Sequence, residues 1–320
     1  MQSVITIKDL KKKFPVKGGF YEAVRGVNLE VFEKEIFGFL GPNGAGKTTT
    51  LRMLTTLLPI DSGDAFVAGY NVKTQPQEVR RRIGFVSQEG GADRNATGRE
   101  NLMLQGRLYG MSQAEVKQAA NHLIEILSLG ECIDRFVTTY SGGQRRRLDV
   151  ALGMMHKPKI LFLDEPTTGL DPQNRANLWN QIKALKKEGI TIFITSHYLD
   201  EIDFLADRLA IMDQGKIVEV GTPKDLKRQI SGDIIHIGVN KSEEERTIQI
   251  LKGQSFIKEI APDTQPIRLY VEQGDVALTQ ILRLLDAEKI VLESISLSVP
   301  TLDDVFLKKT GHALREEGGL

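Results

Sequence analysis

Gly41-Pro42-Asn43-Gly44-Ala45-Gly46-Lys47-Thr48 follows the apolar run Ile36–Leu40 and opens onto a helix-favouring stretch, Lys47 to Leu57. It fills every fixed position of the pattern G-x-x-x-x-G-K-[ST]. The residue types are those that phosphate binding needs. Glycines let successive backbone N–H groups turn inward toward phosphate oxygens, and a helix N-terminus adds a favourable dipole. Lys47 brings a point charge to the β- and γ-phosphates, and the Thr48 hydroxyl suits Mg²⁺. Strand, glycine loop and helix in this order make a phosphate-binding βαβ unit, so the fold class expected is α/β.

Upstream, Val4–Leu10 and Gly26–Val31 alternate apolar and polar residues as half-exposed strands do, and Pro15 to Gly19 reads as a loop between them. Downstream, about residues 95–153, the spacing is helical. Leu102, Leu104, Leu108, Val116, Leu123, Ile126 and Leu127 mark its apolar stripes. Strand-like segments return at Ile160–Leu163, Ile190–Thr195 and Leu209–Asp213, with a helix over Pro172–Lys187, the pattern of a parallel sheet with crossover helices. After Thr222-Pro223 short strands (Ile234–Val239, Ile267–Val271, Val291–Ser298) alternate with helices (Ser242–Leu251, Val276–Asp286), a βαββαβ arrangement. The organisation expected is a large domain over residues 1–223, a small α+β accessory domain over 232–300, and a C-terminal segment and tail over 301–320.

Lys+Arg and Asp+Glu both total 42 in 320 residues, so the formal net charge is zero and no general attraction to nucleic acid is expected. The single cysteine, Cys132, has no internal partner; it is expected as a plain helix residue in a reducing compartment. No window approaches the roughly 18 apolar residues of a membrane helix. Lys8, Asp9 and Lys11 to Lys13 interrupt any signal core at the N-terminus. If the protein acts at a membrane, another chain spans it.

The buried run Ile160–Leu163 ends in Asp164-Glu165. Delivering adjacent carboxylates from an apolar strand is costly unless they meet a cation or do chemistry. Asp164 is placed to hold Mg²⁺. Glu165, expected on the opposite face by strand alternation, is placed to polarise an attacking water.

Further motifs follow in order, and together they resemble the ATP-binding-cassette ATPases: P-loop NTPases with an inserted helical subdomain. Tyr140-Ser141-Gly142-Gly143-Gln144 looks like the family signature, with tyrosine where leucine is usual. Gln88 resembles the Q-loop glutamine, Gly169-Leu170-Asp171 the D-loop, and Ser196-His197 the switch histidine. The resemblance covers about Val4 to Pro223. It implies an ATPase with ATP and Mg²⁺ as cofactors. Glu165 is the implied general base, with Lys47, Gln88 and His197 as further catalytic groups; Thr48, Gln88 and Asp164 form the metal set. Nucleotide contacts are implied for Gly41 to Thr49, and, across a head-to-tail homodimer, for Ser141, Gly142, Gly143, Gln144 and Asp171. Ser141 also suits a helix N-cap. An aromatic near the end of the first strand is implied to stack on adenine; Phe14 is favoured, with Tyr21 the alternative.

Ala96-Thr97-Gly98-Arg99-Glu100-Asn101-Leu102, Thr168-Gly169-Leu170-Asp171-Pro172 and Pro300-Thr301-Leu302-Asp303-Asp304-Val305-Phe306-Leu307 resemble the daunorubicin-resistance branch of drug exporters. That branch implies outward transport of a drug, antibiotic or other amphiphile. The partner implied is a separate permease of about six spanning helices, which holds this chain at the cytoplasmic face of the plasma membrane. The alternative is a soluble ribosome-associated ATPase of the same superfamily; those usually carry two cassettes and a basic linker. A DNA-repair ATPase needs a long coiled coil between cradle and signature, for which Lys47 to Ser141 is too short. Glu89–Gly98 reads as a loop free to move, and Leu102, Met103 and Tyr109 as a groove for the permease, with a core role for Leu102 equally open.

Overall fold

The structure, a computed structural model, describes residues 2–229, 233–261, 266–298 and 300–311. The chain divides into two units, one ending at Pro223 and one beginning at Lys224.

In the first unit, Ile36–Leu40 forms β3 with every residue buried. A strand covered on both faces needs no polar side, which is why this run does not alternate. It lies in a six-stranded sheet with β6 (Ile83–Val86), β7 (Ile160–Asp164), β8 (Thr191–Ser196), β9 (Arg208–Asp213) and β10 (Lys216–Gly221), in the order β10-β9-β3-β8-β7-β6. All neighbours are parallel except β10, which pairs antiparallel to β9. Phe193 anchors one face, with its ring centroid 5.7, 5.4 and 5.5 Å from those of Phe37, Phe39 and Phe162.

A second, antiparallel sheet has the order β2-β1-β4-β5, from β1 (Ser3–Val16), β2 (Gly19–Phe32), β4 (Ser62–Val67) and β5 (Tyr70–Asn71). The expected loop over Pro15 to Gly19 shrinks to the turn Lys17-Gly18, because Gly18 takes φ 94° and Val16 pairs with Gly19. Proline is tolerated here because β1 pairs with β4 only as far as Lys11, leaving Pro15 on an open edge.

The first helix, α1 (Lys47–Leu54), ends before Leu57, where Thr56 turns to φ 65°. After α2 (Pro76–Arg80) comes the helical part, α3 (Gly98–Leu108), α4 (Gln113–Ile126) and α5 (Gly142–Met154). Thr97, Ser112 and Ser141 cap these three helices in capping boxes with Glu100, Glu115 and Gln144. Leu102, Val116, Leu123 and Leu127 form its core, whereas Leu104 and Leu108 are 55% and 74% exposed. Cys132 lies in a turn and not a helix, its thiol bonded to the Leu129 carbonyl. Tyr140 is buried, its hydroxyl donating to the Cys132 carbonyl at 2.6 Å. The tyrosine thus fills an apolar position from inside. Then come α6 (Pro172–Lys187) and α7 (Leu199–Leu205).

A short helix, α8 (Pro223–Arg228), straddles the division. The second unit continues with β11 (Asp233–Val239), α9 (Glu244–Lys252), β12 (Ile257–Ile260), β13 (Ile267–Val271), α10 (Gly274–Ala287) and β14 (Leu292–Ser298). Its antiparallel sheet runs β12-β13-β11-β14, and Leu251, Ile281 and Leu285 of the helices join Ile235, Ile237 and Leu269 in one core. The segment after residue 300, expected apart from this domain, folds onto it as α11 (Leu302–Thr310). Thr301 caps that helix, Val305 and Phe306 are buried, and Asp304 accepts from Arg268 of β13 at 3.0 Å. The tail from 312 onward lies outside the described residues.

Candidate nucleotide site

Gly46 caps α1 at φ 106°, and no side chain caps its first turn. A Cβ on Gly46 would stand 2.4 Å from the Ala23 carbonyl oxygen, so only glycine brings the chain into the helix here. The first-turn N–H groups are thereby presented to an anion. Lys47 is buried; its Nζ donates to the carbonyls of Gly41 at 2.7 Å and Pro42 at 3.0 Å and lies 3.4 Å from Glu165 Oε1. Burial pulls the lysine pKa down, against the opposing pull of the Glu165 carboxylate. Ala45, also buried, closes the turn through its N–H to the Pro42 carbonyl.

The two carboxylates at the end of β7 do not face opposite ways. Glu165 takes φ 43°, leaving the strand conformation, so the alternation stops at Asp164. Asp164 Oδ1 accepts from Thr48 Oγ1 at 3.1 Å and from Thr195 Oγ1 at 2.7 Å. Glu165 Oε2 meets His197 Nδ1 at 3.1 Å while Oε1 faces Lys47. Burial raises the Glu165 carboxyl, but His197 and Lys47 outweigh it and hold it below the ordinary glutamate value.

These groups open onto a cleft of about 580 Å³, lined by Lys47, Thr48, Gln88, Glu165 and His197 with Asn43, Gly44 and Thr49. Phe14 and Tyr21 line it as well. They pair directly across the β1–β2 hairpin, and the Tyr21 hydroxyl donates to the Gly44 carbonyl at 3.3 Å. Among the described residues no group of three or more His, Cys, Asp or Glu gathers to hold a metal unaided. A hydroxyl and a carboxylate, both hard oxygen donors, suit Mg²⁺ that takes its remaining ligands from phosphate and water.

Ser141, Gly142, Gly143, Gln144 and Asp171 do not line this cleft. Ser141 Oγ accepts from Gln144 N at 3.2 Å, and Gln144 Oε1 from Ser141 N at 3.0 Å. Asp171 caps α6 by accepting from Asn174 N at 3.0 Å. Gly142 instead shares a smaller pocket of about 230 Å³ with Gln88, Arg146 and Gly169.

Three contributors escaped the sequence reading. Thr195 holds Asp164. Arg146 sits in the run Arg145-Arg146-Arg147, which reads as solvated charge, yet it is only 6% exposed. Its helical spacing from the buried Gly143, Val150 and Gly153 is the signal that marks it as inward. Glu201 of α7 is fully buried and accepts from Thr167 Oγ1 at 2.9 Å and Trp179 Nε1 at 3.0 Å, tying the segment after Glu165 to α6 and α7.

The chain matches the ABC transporter family over residues 24–168. It also matches the C-terminal domain of DrrA1-3-like ATP-binding proteins over residues 221–310. It is 43% identical to the daunorubicin resistance ATP-binding protein DrrA2 of Streptomyces coeruleorubidus over 92% of both chains. To the linearmycin resistance ATP-binding protein LnrL of Bacillus subtilis it is 34% identical, over 98% of this chain and 100% of that one. A dimeric ATP-binding cassette solved in a post-hydrolysis state with ADP and Pi superposes with a TM-score of 0.63 at 24% identity, covering 68% of this chain and 98% of that one, a likeness of fold. With this identity along nearly its whole length, the chain belongs to the ATP-binding proteins of ABC transporters and is an ATPase subunit of that family.

Proposed function

We propose that this chain powers an exporter by binding MgATP between two copies of itself and hydrolysing it to drive a separate membrane permease. The observation that carries this reading is the meeting of Lys47, Thr48, Glu165 and His197 in one cleft at the N-terminus of α1, with the buried Asp164 bonded to the Thr48 hydroxyl behind it. In this reading Lys47 neutralises the β- and γ-phosphates, and Thr48, Asp164 and Gln88 hold Mg²⁺, which supplies charge neutralisation at the transferring phosphoryl group. Glu165, kept ionised by its neighbours, takes the proton of the attacking water, and His197 fixes that carboxylate and the water's approach. Phe14 and Tyr21 together offer the stacking surface for the base.

The signature segment lies outside its own cleft, which supports a two-fold, head-to-tail pair in which Ser141 to Gln144 and Asp171 of each copy close the nucleotide site of the other. The first turn of α5 then faces a γ-phosphate with its N–H groups. In this reading the chain acts from the cytoplasmic face through its permease; no helix among the described residues is long and apolar enough to cross a membrane. Relatives named for daunorubicin and linearmycin resistance support outward movement of a drug, antibiotic or other amphiphile.

Glu165→Gln tests the reading. It keeps size and hydrogen bonding but removes the base. MgATP binding persists, turnover falls by roughly 10²-fold or more, and a long-lived dimer appears on sizing chromatography in MgATP. Near-normal turnover removes Glu165 from the role of base.

A further inference from the structure

Both grips on the backbone around Gln88 come from α5. Arg146 donates through Nη1 to the Ser87 carbonyl at 2.5 Å, through Nη2 to the Asp164 carbonyl at 2.9 Å, and through Nε to the Pro166 carbonyl at 2.7 Å. One turn further along the same face, Asp149 Oδ1 accepts from the N–H groups of Gly91 at 2.9 Å and Ala92 at 3.2 Å. The acceptors of Arg146 are the residue before Gln88, the last residue of β7 and Pro166 just beyond it; the donors to Asp149 follow Gln88. Gly90 lets the loop wrap this carboxylate: it has φ +81°, and a Cβ there would stand 2.5 Å from Asp149 Oδ2. Ser87 closes the loop on itself, its Oγ donating to the Gly90 carbonyl at 3.1 Å.

The segment 87–92 has no buried apolar side chain to anchor it, and by sequence the stretch from Glu89 to Gly98 reads as a loop free to move. Its anchors are instead two opposite charges, each making charge-assisted hydrogen bonds, about twice as strong as neutral ones. Both charges stand on the helix whose first turn is the signature segment.

We infer that Arg146 and Asp149 are positioning residues that fix the backbone on either side of Gln88, so that the placement of the signature helix sets the reach of Gln88 into the nucleotide cleft. A shift of α5 carries the segment 87–92 with it, because among the described residues its only other polar hold is internal, and the hold on α3 through Asn101 begins at Asp93. The inference rests on the proposed roles of Gln88 and of the signature segment.

The test uses the full chain with Asp149→Ala, Gly90→Ala and Asp149→Asn. Asp149→Ala removes the acceptor; Gly90→Ala pushes the loop off it from the other side while leaving every residue of α5 in place; Asp149→Asn keeps an acceptor oxygen but not the charge. In the first two, kcat for MgATP falls about tenfold or more while KM and nucleotide Kd stay within about twofold. Hydrogen exchange at Gly91 and Ala92 speeds up by about tenfold or more, with the rest of the first unit unchanged. Asp149→Asn, with a neutral acceptor in place of the carboxylate, falls between the parent and Asp149→Ala in both readouts. Wild-type kcat in Asp149→Ala or Gly90→Ala overturns the inference, as does a parallel loss of kcat, affinity and thermal stability. Where Asp149→Ala fails to fold, Gly90→Ala decides on the same two readouts. A parent chain without MgATP turnover overturns the site reading itself; exchange at Gly91 and Ala92 then still shows whether the clamp exists.

Discussion

Lys47 and Glu165 face each other at 3.4 Å with their side chains 4% and 10% exposed, and His197 Nδ1 holds the other carboxylate oxygen at 3.1 Å. Lys47→Ala removes the cation proposed to neutralise the phosphates, so directly measured nucleotide affinity falls. Unchanged affinity with lost turnover confines Lys47 to the transition state. Glu165 also carries a pH dependence. Its pKa is depressed below the ordinary 4.5, so the stability it contributes is present above that value and is lost as pH falls through the lower, folded one. Glu165→Gln is therefore less stable than the parent at neutral pH, and the gap narrows below pH 4.5 in denaturant titrations. Glu201 has the opposite sign. Burial, opposed by its hydrogen bonds, raises its pKa above 4.5, so its contribution is complete below that value and declines as pH rises through the folded one. Glu201→Gln removes this decline; identical pH profiles for variant and parent count against it. The neighbouring pair Asp164-Glu165 was visible in sequence as an acidic strand end, but not its direction, because a left-handed residue at 165 obeys no periodicity.

At the scale of elements, α3 separates what helical spacing tells from what it leaves open. Leu104 and Leu108 stand one turn apart on one face and Leu102 on the other side; the spacing does not say which side packs, and only Leu102 is buried. Leu102→Ala costs about 2–5 kcal/mol, because the core closes poorly around a lost side chain. Leu108→Ala changes stability by less than about 0.5 kcal/mol. Denaturant midpoints of the two variants check this, and equal losses would mean that α3 buries both faces. The exposed Leu104 and Leu108, with the half-exposed Tyr109 stacked 3.8 Å from His156, form the apolar face of this helix, whereas Leu102 belongs to the core. Elements with local punctuation were legible at their ends: α6 starts at Pro172 after the Asp171 cap and stops before Glu188-Gly189. Strands such as β5 and β12, short and with no fully buried residue, offer no alternation to read; their partners, not their residues, make them strands.

At the scale of the molecule, two cores share no residue: one centred on Phe37, Phe39, Phe162 and Phe193, the other on Ile235, Leu269 and Ile281. A chain ended at Pro223 accordingly unfolds cooperatively and binds MgATP within about twofold of the parent, as calorimetry of both chains checks. Loss of nucleotide affinity on truncation would make the accessory unit part of the site. The order of strands in the catalytic sheet has a consequence for how the protein is made. Central β3 emerges early, but Ile36 pairs with Ile192 and Phe37 with Arg208, so both its neighbours leave the ribosome long after it. During synthesis a wholly apolar strand with two unpaired edges waits for its partners. Such non-local pairing is slow to form, and the wait exposes the nascent chain to aggregation. The glycine loop proposed to cradle phosphate is thus attached to the strand most in need of chaperone cover while the chain grows.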